Sequence, residues 1–274
     1  MFRVATSKDC ETLCELWKQG FNENEDIAKF VFNDFASFDN ILVLEKNDMI
    51  ISMLIYVEVK LEKRKGAYYY GLTTRKGYEK QGNMASLMQY ANEICKQKEY
   101  EFIVLVPQSE SLFNYYSKKG YETYFYIREF THKIKDNLYA NVKLDTITGK
   151  SIKELRNKFI ENSRIQLNEK SEIATLVDMY KNGGITVESK NGYGIFYKNN
   201  DTMFFEEIFA TDEYHAEELI QGAKQFCGCS YVKGLVAEGI EMFLGEGKVK
   251  PFGMILFLND KFNSNDPYMN MMLN

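Results

Sequence analysis

Proline is scarce in this chain, three residues in 274, and no proline-rich linker interrupts it. Histidine is scarcer, with only His132 and His215. A zinc site built from paired histidines and cysteines therefore has little to draw on. The five cysteines, Cys10, Cys14, Cys95, Cys227 and Cys229, are odd in number and show no disulfide-framework spacing. Cys227 and Cys229 resemble half of a metal site, but no second pair follows, so no metal is expected. No apolar run approaches the ~18 residues of a membrane helix. The opening MFRVATSKDCETL turns polar at once, unlike a secretory leader. A basic excess is also missing. The net charge of −5 argues against nucleic acid and against anionic membrane surfaces as partners. These absences lead to the expectation of a cytoplasmic protein with reduced thiols.

What is present is apolar and aromatic. The chain is 45% hydrophobic, with 19 Tyr and 20 Phe against one Trp, ample for sizeable cores. Its length favours two domains of ordinary size. The most informative stretch is YYYGLTTRKGYEKQGNMASLM, residues 68–88. It begins as an apolar strand over 67–74 and passes into a polar loop holding Gly77 and Gly82. It continues as a helix with Met84, Leu87, Met88 and Ala91 at helical spacing. The first N–H groups of such a helix lack intrahelical partners and point into the loop, at the positive end of the dipole. Gly82 carries no Cβ, so a ligand can approach the backbone there. The unit suits a phosphate group.

Around this stretch the pattern predicts a short strand at 2–5 and a capping box at Thr6 to Asp9. A helix follows with Cys10, Leu13, Cys14 and Trp17 on one face, then a second with Ile27, Phe30, Val31 and Phe35. Strands at 41–45 and 49–61 precede the one described. After the helix come a buried strand at 101–106 and a helix at 109–119 carrying Leu112, Phe113 and Tyr116. Gly120 stops that helix, and a strand at 121–130 ends the first half.

The order β, α, α, β, β, β, α, β, α, β, with a glycine loop between the fourth strand and third helix, resembles the GNAT superfamily of N-acetyltransferases. In that family the loop reads roughly Arg/Gln-x-x-Gly-x-Gly/Ala, and the strand before it pairs with pantetheine. Here Leu72, Thr73 and Thr74 fill the strand end. Glu79, Lys80, Gln81, Gly82, Asn83 and Met84 fill the loop. YSKKGY, residues 116–121, resembles the family's Tyr-x-x-x-Gly-Phe. The resemblance covers about the first 130 residues and extends to the enhanced intracellular survival acetyltransferases. It implies an acetyl-CoA co-substrate held by these residues, with Tyr116 as the general acid that protonates the leaving thiolate. It also implies an acceptor that is a primary amine of a small molecule or peptide. Tyr115 is the neighbouring alternative to Tyr116, and Glu58 and the carboxylate of Asn274 are candidates for the base. Glu79 departs from the family, because a carboxylate beside a pyrophosphate is repulsive. An active site would need Glu79 turned to solvent or held by Lys80, Arg75 or Lys76.

The second half repeats the plan. Helices are expected around Ile152, Leu155 and Phe159, and around Ile173, Leu176, Val177 and Tyr180. Strands at 185–188, 193–197 and 202–210 follow, then a helix with Ala216, Leu219, Ile220 and Ala223, then strands at 231–237 and 253–258. Between Ala210 and its helix stand only Thr211, Asp212, Glu213 and Tyr214, an acidic segment without glycine that would repel a pyrophosphate. The expected architecture is therefore α+β with a mixed sheet. A GNAT-like catalytic domain occupies 1–135 and a degenerate GNAT-like domain 136–274. Two other functions fit the same residues. One is a non-catalytic acyl-CoA-binding or interaction protein, suggested by Glu79. The other is a tRNA-dependent aminoacyl transferase, disfavoured by the acidic charge.

Overall fold

The computed structural model describes residues 1–135, 140–160, 163–240, 242–243 and 247–273. They pack into two compact units. The first holds Met1–Glu122, Gln166–Ala174 and Met254–Phe262, and the second holds Thr123–Ile165, Thr175–Gly253 and Asn263–Asn274. The sequence pattern divides the chain once, between 135 and 136, whereas the contacts divide it at several points.

In the first unit, β1 (Phe2–Val4) runs into a short 3-10 turn, Ser7–Asp9, where Asp9 accepts the Thr6 N–H at 2.7 Å. The expected capping box is thus present. It opens α1 (Cys10–Phe21), which buries Leu13, Cys14, Leu16 and Trp17. Then α2 (Glu25–Phe30), capped by the Asn24 side chain, gives way to a π-helical turn at Val31–Ala36. Strands β2 (Ile41–Lys46), β3 (Met49–Leu61) and β4 (Arg64–Thr74) form an antiparallel meander. Their long buried runs reflect cover on both faces. Next, α3 (Asn83–Gln97) buries Leu87, Met88, Ala91 and Cys95, a helical stripe laid on the meander. It crosses to β5 (Phe102–Leu105), parallel to β4. Finally α4 (Glu110–Ser117), capped by Ser109, leads into β6 (Glu122–Lys133).

In the second unit, β7 (Lys143–Leu144) and α5 (Gly149–Ile160) follow β6. The short β8 (Ile165–Leu167), which pairs with β3, leads to α6 (Glu169–Lys181), and residues 166–174 of this stretch belong to the first unit. Strands β9 (Ile185–Ser189), β10 (Gly192–Asn199) and β11 (Thr202–Ala210) repeat the antiparallel meander. Then α7 (Glu213–Cys227) crosses to β12 (Tyr231–Ala237), parallel to β11. The last strand, β13 (Lys248–Phe257), gives residues 254–257 to the first unit, antiparallel to β5. Each unit thus carries three antiparallel strands, a crossover helix and a parallel strand, as the repeated pattern predicts.

Two details differ from the pattern. Strands β7 and β8 are too short to leave a periodic signal. On α6 the residues Ile173, Val177 and Tyr180 are 41%, 39% and 37% exposed, and Ala174, Thr175, Leu176 and Met179 form the buried side instead. Apolar residues all round that helix made its inner face ambiguous.

Candidate active site

Strands β4 and β5 pair only at Gly66 with Phe102, Ala67 with Ile103 and Tyr68 with Val104. Strand β4 runs on to Thr74, while β5 stops at Leu105. The two strands part beyond Tyr68, leaving one edge of Tyr69–Thr74 without a strand partner from β5. The register between β3 and β4 also shifts between Met53 and Ile55, so β4 carries an extra residue near Gly71. Gly71 has φ +61 and lies against the Trp17 ring, where a Cβ would meet the indole at 2.8 Å. Only glycine fits this bulge, which bends the end of β4.

A cleft of about 470 Å³ opens at this place. The strand end gives it Leu72, Thr73 and Thr74, the loop gives Glu79, Lys80, Gly82, Asn83 and Met84, and α4 gives Tyr116. Of the residues expected to hold the co-substrate, Gln81 alone does not line it. Its side chain turns back to donate to the Gly77 carbonyl at 3.0 Å. The sequence pattern did not single out Tyr78 or Lys119. Lys119 was legible, because it falls within the YSKKGY motif that Tyr116 opens.

The loop is held by its own side chains. The Asn83 Nδ2 donates to the Tyr78 carbonyl at 2.7 Å, and its Oδ1 accepts from Lys46 Nζ at 2.8 Å. Lys80 and Gly82 both adopt left-handed backbone, at φ +59 and +79. Such alternation curves successive N–H groups into a concavity suited to an anion. At Gly82 nothing lies within 4 Å of where a Cβ would stand. The glycine therefore serves the backbone conformation and leaves open space in front of it. Gly82 provides no side-chain cap for α3. The first helical bond runs from Ser86 N–H to the Gly82 carbonyl at 2.9 Å, so the N–H groups of Asn83, Met84 and Ala85 precede it and face outward. Lys80 and Lys119 add positive charge.

Glu79 is exposed, the first of the two arrangements expected, and neither Lys80, Arg75 nor Lys76 holds it among the described residues. Its Oε2 accepts the Gly77 N–H at 2.6 Å, closing the loop on itself. Arg75 instead bonds the Ile50 carbonyl at 3.1 Å and lies 3.6 Å from Glu15.

Tyr116 is 7% exposed, its ring set edge-on against Tyr115 and Tyr121. Burial, with a smaller effect of Tyr115, pushes its phenol above the ordinary value, so it stays protonated through neutral and mildly alkaline pH. Tyr115 also lines the cleft, with the Lys119 ammonium 4.8 Å from its ring centre. Glu58 does not line it. The Glu58 carboxylate accepts from the Tyr100 hydroxyl at 3.0 Å. Asn274 lies outside the described residues. Among those residues no three His, Cys, Asp or Glu side chains gather as a metal group.

The corresponding place in the second unit is closed. There Asp212 caps α7, its Oδ1 accepting the His215 N–H at 3.0 Å, and the ring of His215 lies 2.8 Å from the same oxygen. A helix end already satisfied by its own carboxylate offers an anion nothing.

Residues 1–124 match the family model of the acetyltransferase (GNAT) domain. No curated protein sequence matches the chain. Among solved structures, a GCN5-related N-acetyltransferase from Anabaena variabilis superposes with a TM-score of 0.77 at 13% identity, over 94% of this chain and 73% of that one. Eis1 from Mycobacterium abscessus gives 0.72 at 7% identity, over 94% and 74%. A tandem GNAT protein from the clavulanic acid biosynthesis pathway gives 0.57 at 10% identity, over 96% of this chain and the whole of that one. At such identities the likeness is one of fold, that of tandem GNAT-like domains.

Proposed function

We propose that this protein transfers an acetyl group from acetyl-CoA to a primary amine of a small molecule or peptide, by direct attack, a reading supported by the match of residues 1–124 to the GNAT acetyltransferase family model and by the tandem GNAT-like fold. The observation that carries this reading is the uncapped end of α3, opening into the same cleft that Tyr116 lines. The cradle fits a pyrophosphate. The outward N–H groups of Asn83, Met84 and Ala85, the open space at Gly82 and the Lys80 ammonium would hold it. The free edge of β4 at Leu72, Thr73 and Thr74 would align the pantetheine and fix the thioester.

Tyr116 then has a defined task. A protonated phenol at the cleft wall can give its proton to the departing thiolate as the amine takes the acetyl group. Its burial keeps that proton in place. In this reading 1–135 is the catalytic domain and 136–274 a degenerate one. The satisfied end of α7 supports that assignment. The protein would act in the cytoplasm, in keeping with five free cysteines. Among the described residues no helix is long and apolar enough to cross a membrane.

Glu79 has a part in closing the loop through the bond from Gly77 N–H, which supports a working site over a non-catalytic binding protein. The test is calorimetric titration with acetyl-CoA, followed by a screen of amines for release of free CoA. Binding with amine-dependent release is expected. Binding without release for any amine would leave a binding module, and no binding would end the cofactor assignment.

A further inference from the structure

We propose that the second unit carries a ligand site of its own, a cavity walled by α6, β10, β11 and residues 271–273, which takes an organic ammonium ion bearing an apolar body. The cavity measures about 500 Å³, within the usual range for small-molecule sites. Helix α6 contributes Asp178, Met179 and Asn182 from one face, and the strands contribute Tyr197, Phe204 and Glu206. Two carboxyl groups face the space, and among the described residues no lysine or arginine lines it. This is the reverse of the first unit's cleft, where two lysines accompany one glutamate.

The placement of Glu206 is built into the sheet. Ile195 pairs with Glu207 and Phe196 with Phe205, so Glu206 is an extra residue without an opposite number. Bulges of this kind re-aim a side chain. The carbonyl that the bulge frees from the ladder accepts from Asn270 Nδ2. The adjacent Glu207 is fully committed. It is 0% exposed, 2.9 Å from Arg156 Nη2, and accepts from the Tyr193 hydroxyl at 2.7 Å. The carboxyl of Glu206 takes no hydrogen bond or ion pair among the described residues. The fold thus satisfies one of two neighbouring glutamates completely and leaves the other facing a cavity.

Burial, reinforced by Glu207, pushes the Glu206 carboxyl up to about 7, and burial also raises Asp178, whose carboxyl bonds the Asn182 side chain. The phenol of Tyr197 is pushed up to about 12 by burial, then by Glu206 and Asp178. Burial is the largest cause of all three shifts, and Lys181 offsets it only in part at Asp178. A cationic ligand supplies a positive charge to these groups. Phe204, Met179, Met271 and Met272 line the rest of the space with apolar surface, and the rings of Tyr197 and Phe204 suit an ammonium group. Only two carboxylates line the cavity, and among the described residues no three His, Cys, Asp or Glu side chains gather as a metal group.

The probe is hexylammonium, with hexanoate as the same chain in the opposite charge, titrated calorimetrically into the full-length protein without acyl-CoA. Hexylammonium should bind and hexanoate should not. Binding should strengthen as pH rises from 5.5 to 8 and level off above 7. Below that pH the ligand must displace a proton from Glu206, whose facing ionisable neighbours are Asp178 on α6, Tyr197 on β10 and Glu207 on β11. Glu206→Gln should weaken hexylammonium at least tenfold and flatten the pH dependence. This variant removes a half-buried charge that has no hydrogen bond or ion pair among the described residues, so its melting temperature should not fall. Asp178→Asn should weaken binding less. Equal binding of both probes, or an affinity untouched by Glu206→Gln, overturns the proposal. So does binding of calcium ion with none of hexylammonium.

Discussion

Glu79 illustrates how one side chain changes meaning with its partner. Sequence comparison makes it a repulsive charge beside a phosphate, and the loop geometry makes it the acceptor for Gly77 N–H at 2.6 Å. Charge-assisted bonds to backbone N–H are among the stronger ones. Glu79→Gln should therefore keep most acetyl-CoA affinity, while Glu79→Ala and Glu79→Arg should both lose it, about 3-fold or more. Tighter binding by the Arg variant, measured at two salt concentrations, would return Glu79 to the role of a mere handicap. Tyr116→Phe should lower kcat ~10²- to 10⁴-fold, the usual reach of general acid catalysis, with little change in acetyl-CoA affinity. The phenol is raised, so its deprotonation, and any loss of activity from it, moves to still higher pH than usual. The pH–rate profile should show no descending limb below pH 10. An unchanged kcat would make Tyr116 a core residue only.

At the scale of the element, the strand–loop–helix unit depends on Asn83, which is 5% exposed and ties Tyr78 to Lys46. Asn83→Ala leaves the Tyr78 carbonyl and the Lys46 ammonium without this partner, which costs about 1–3 kcal/mol. A drop of several degrees in melting temperature is expected, and weaker acetyl-CoA binding with it. A variant that melts as the parent does would show the loop to be held by other contacts. The existence of this unit was legible because strand, glycine and helical stripe follow one another within 21 residues, 68–88. The partners of Glu79, Gln81 and Asn83 were not. They depend on left-handed backbone at Lys80 and Gly82, which side-chain order does not encode. The bulge at Glu206 was equally hidden, because register is a property of two strands and not of one.

For the whole molecule, the two units share a plan but differ at one helix end. Gly82 leaves α3 uncapped, and Asp212 caps α7. One acetyl-CoA per chain is the expected stoichiometry, and two equivalent calorimetric sites would refute the degenerate second domain. The repeat itself was visible in the sequence, since both halves run through three strands, a helix and a strand. The assignment of residues 254–262 to the first unit was not, because nothing local in a strand names its neighbour. That assignment bears on the order of events during synthesis. Strand β5 is buried end to end, from 0% exposure at Phe102 to 2% at Leu105, and one of its edges is completed by residues 254–257. Phe262 closes over Phe102, ring centres 5.8 Å apart, and Arg64 lies 4.4 Å above the Phe262 ring. A nascent chain that has emerged only to residue 135 therefore presents a bare apolar strand edge, the kind that recruits other chains. The fragment 1–135 expressed alone should form soluble aggregates on size exclusion, and a supplied peptide of residues 248–262 should shift it toward monomer. A monodisperse fragment would show that β5 needs no closing strand. Otherwise this protein must shield an unfinished sheet for roughly half the time its ribosome takes to make it.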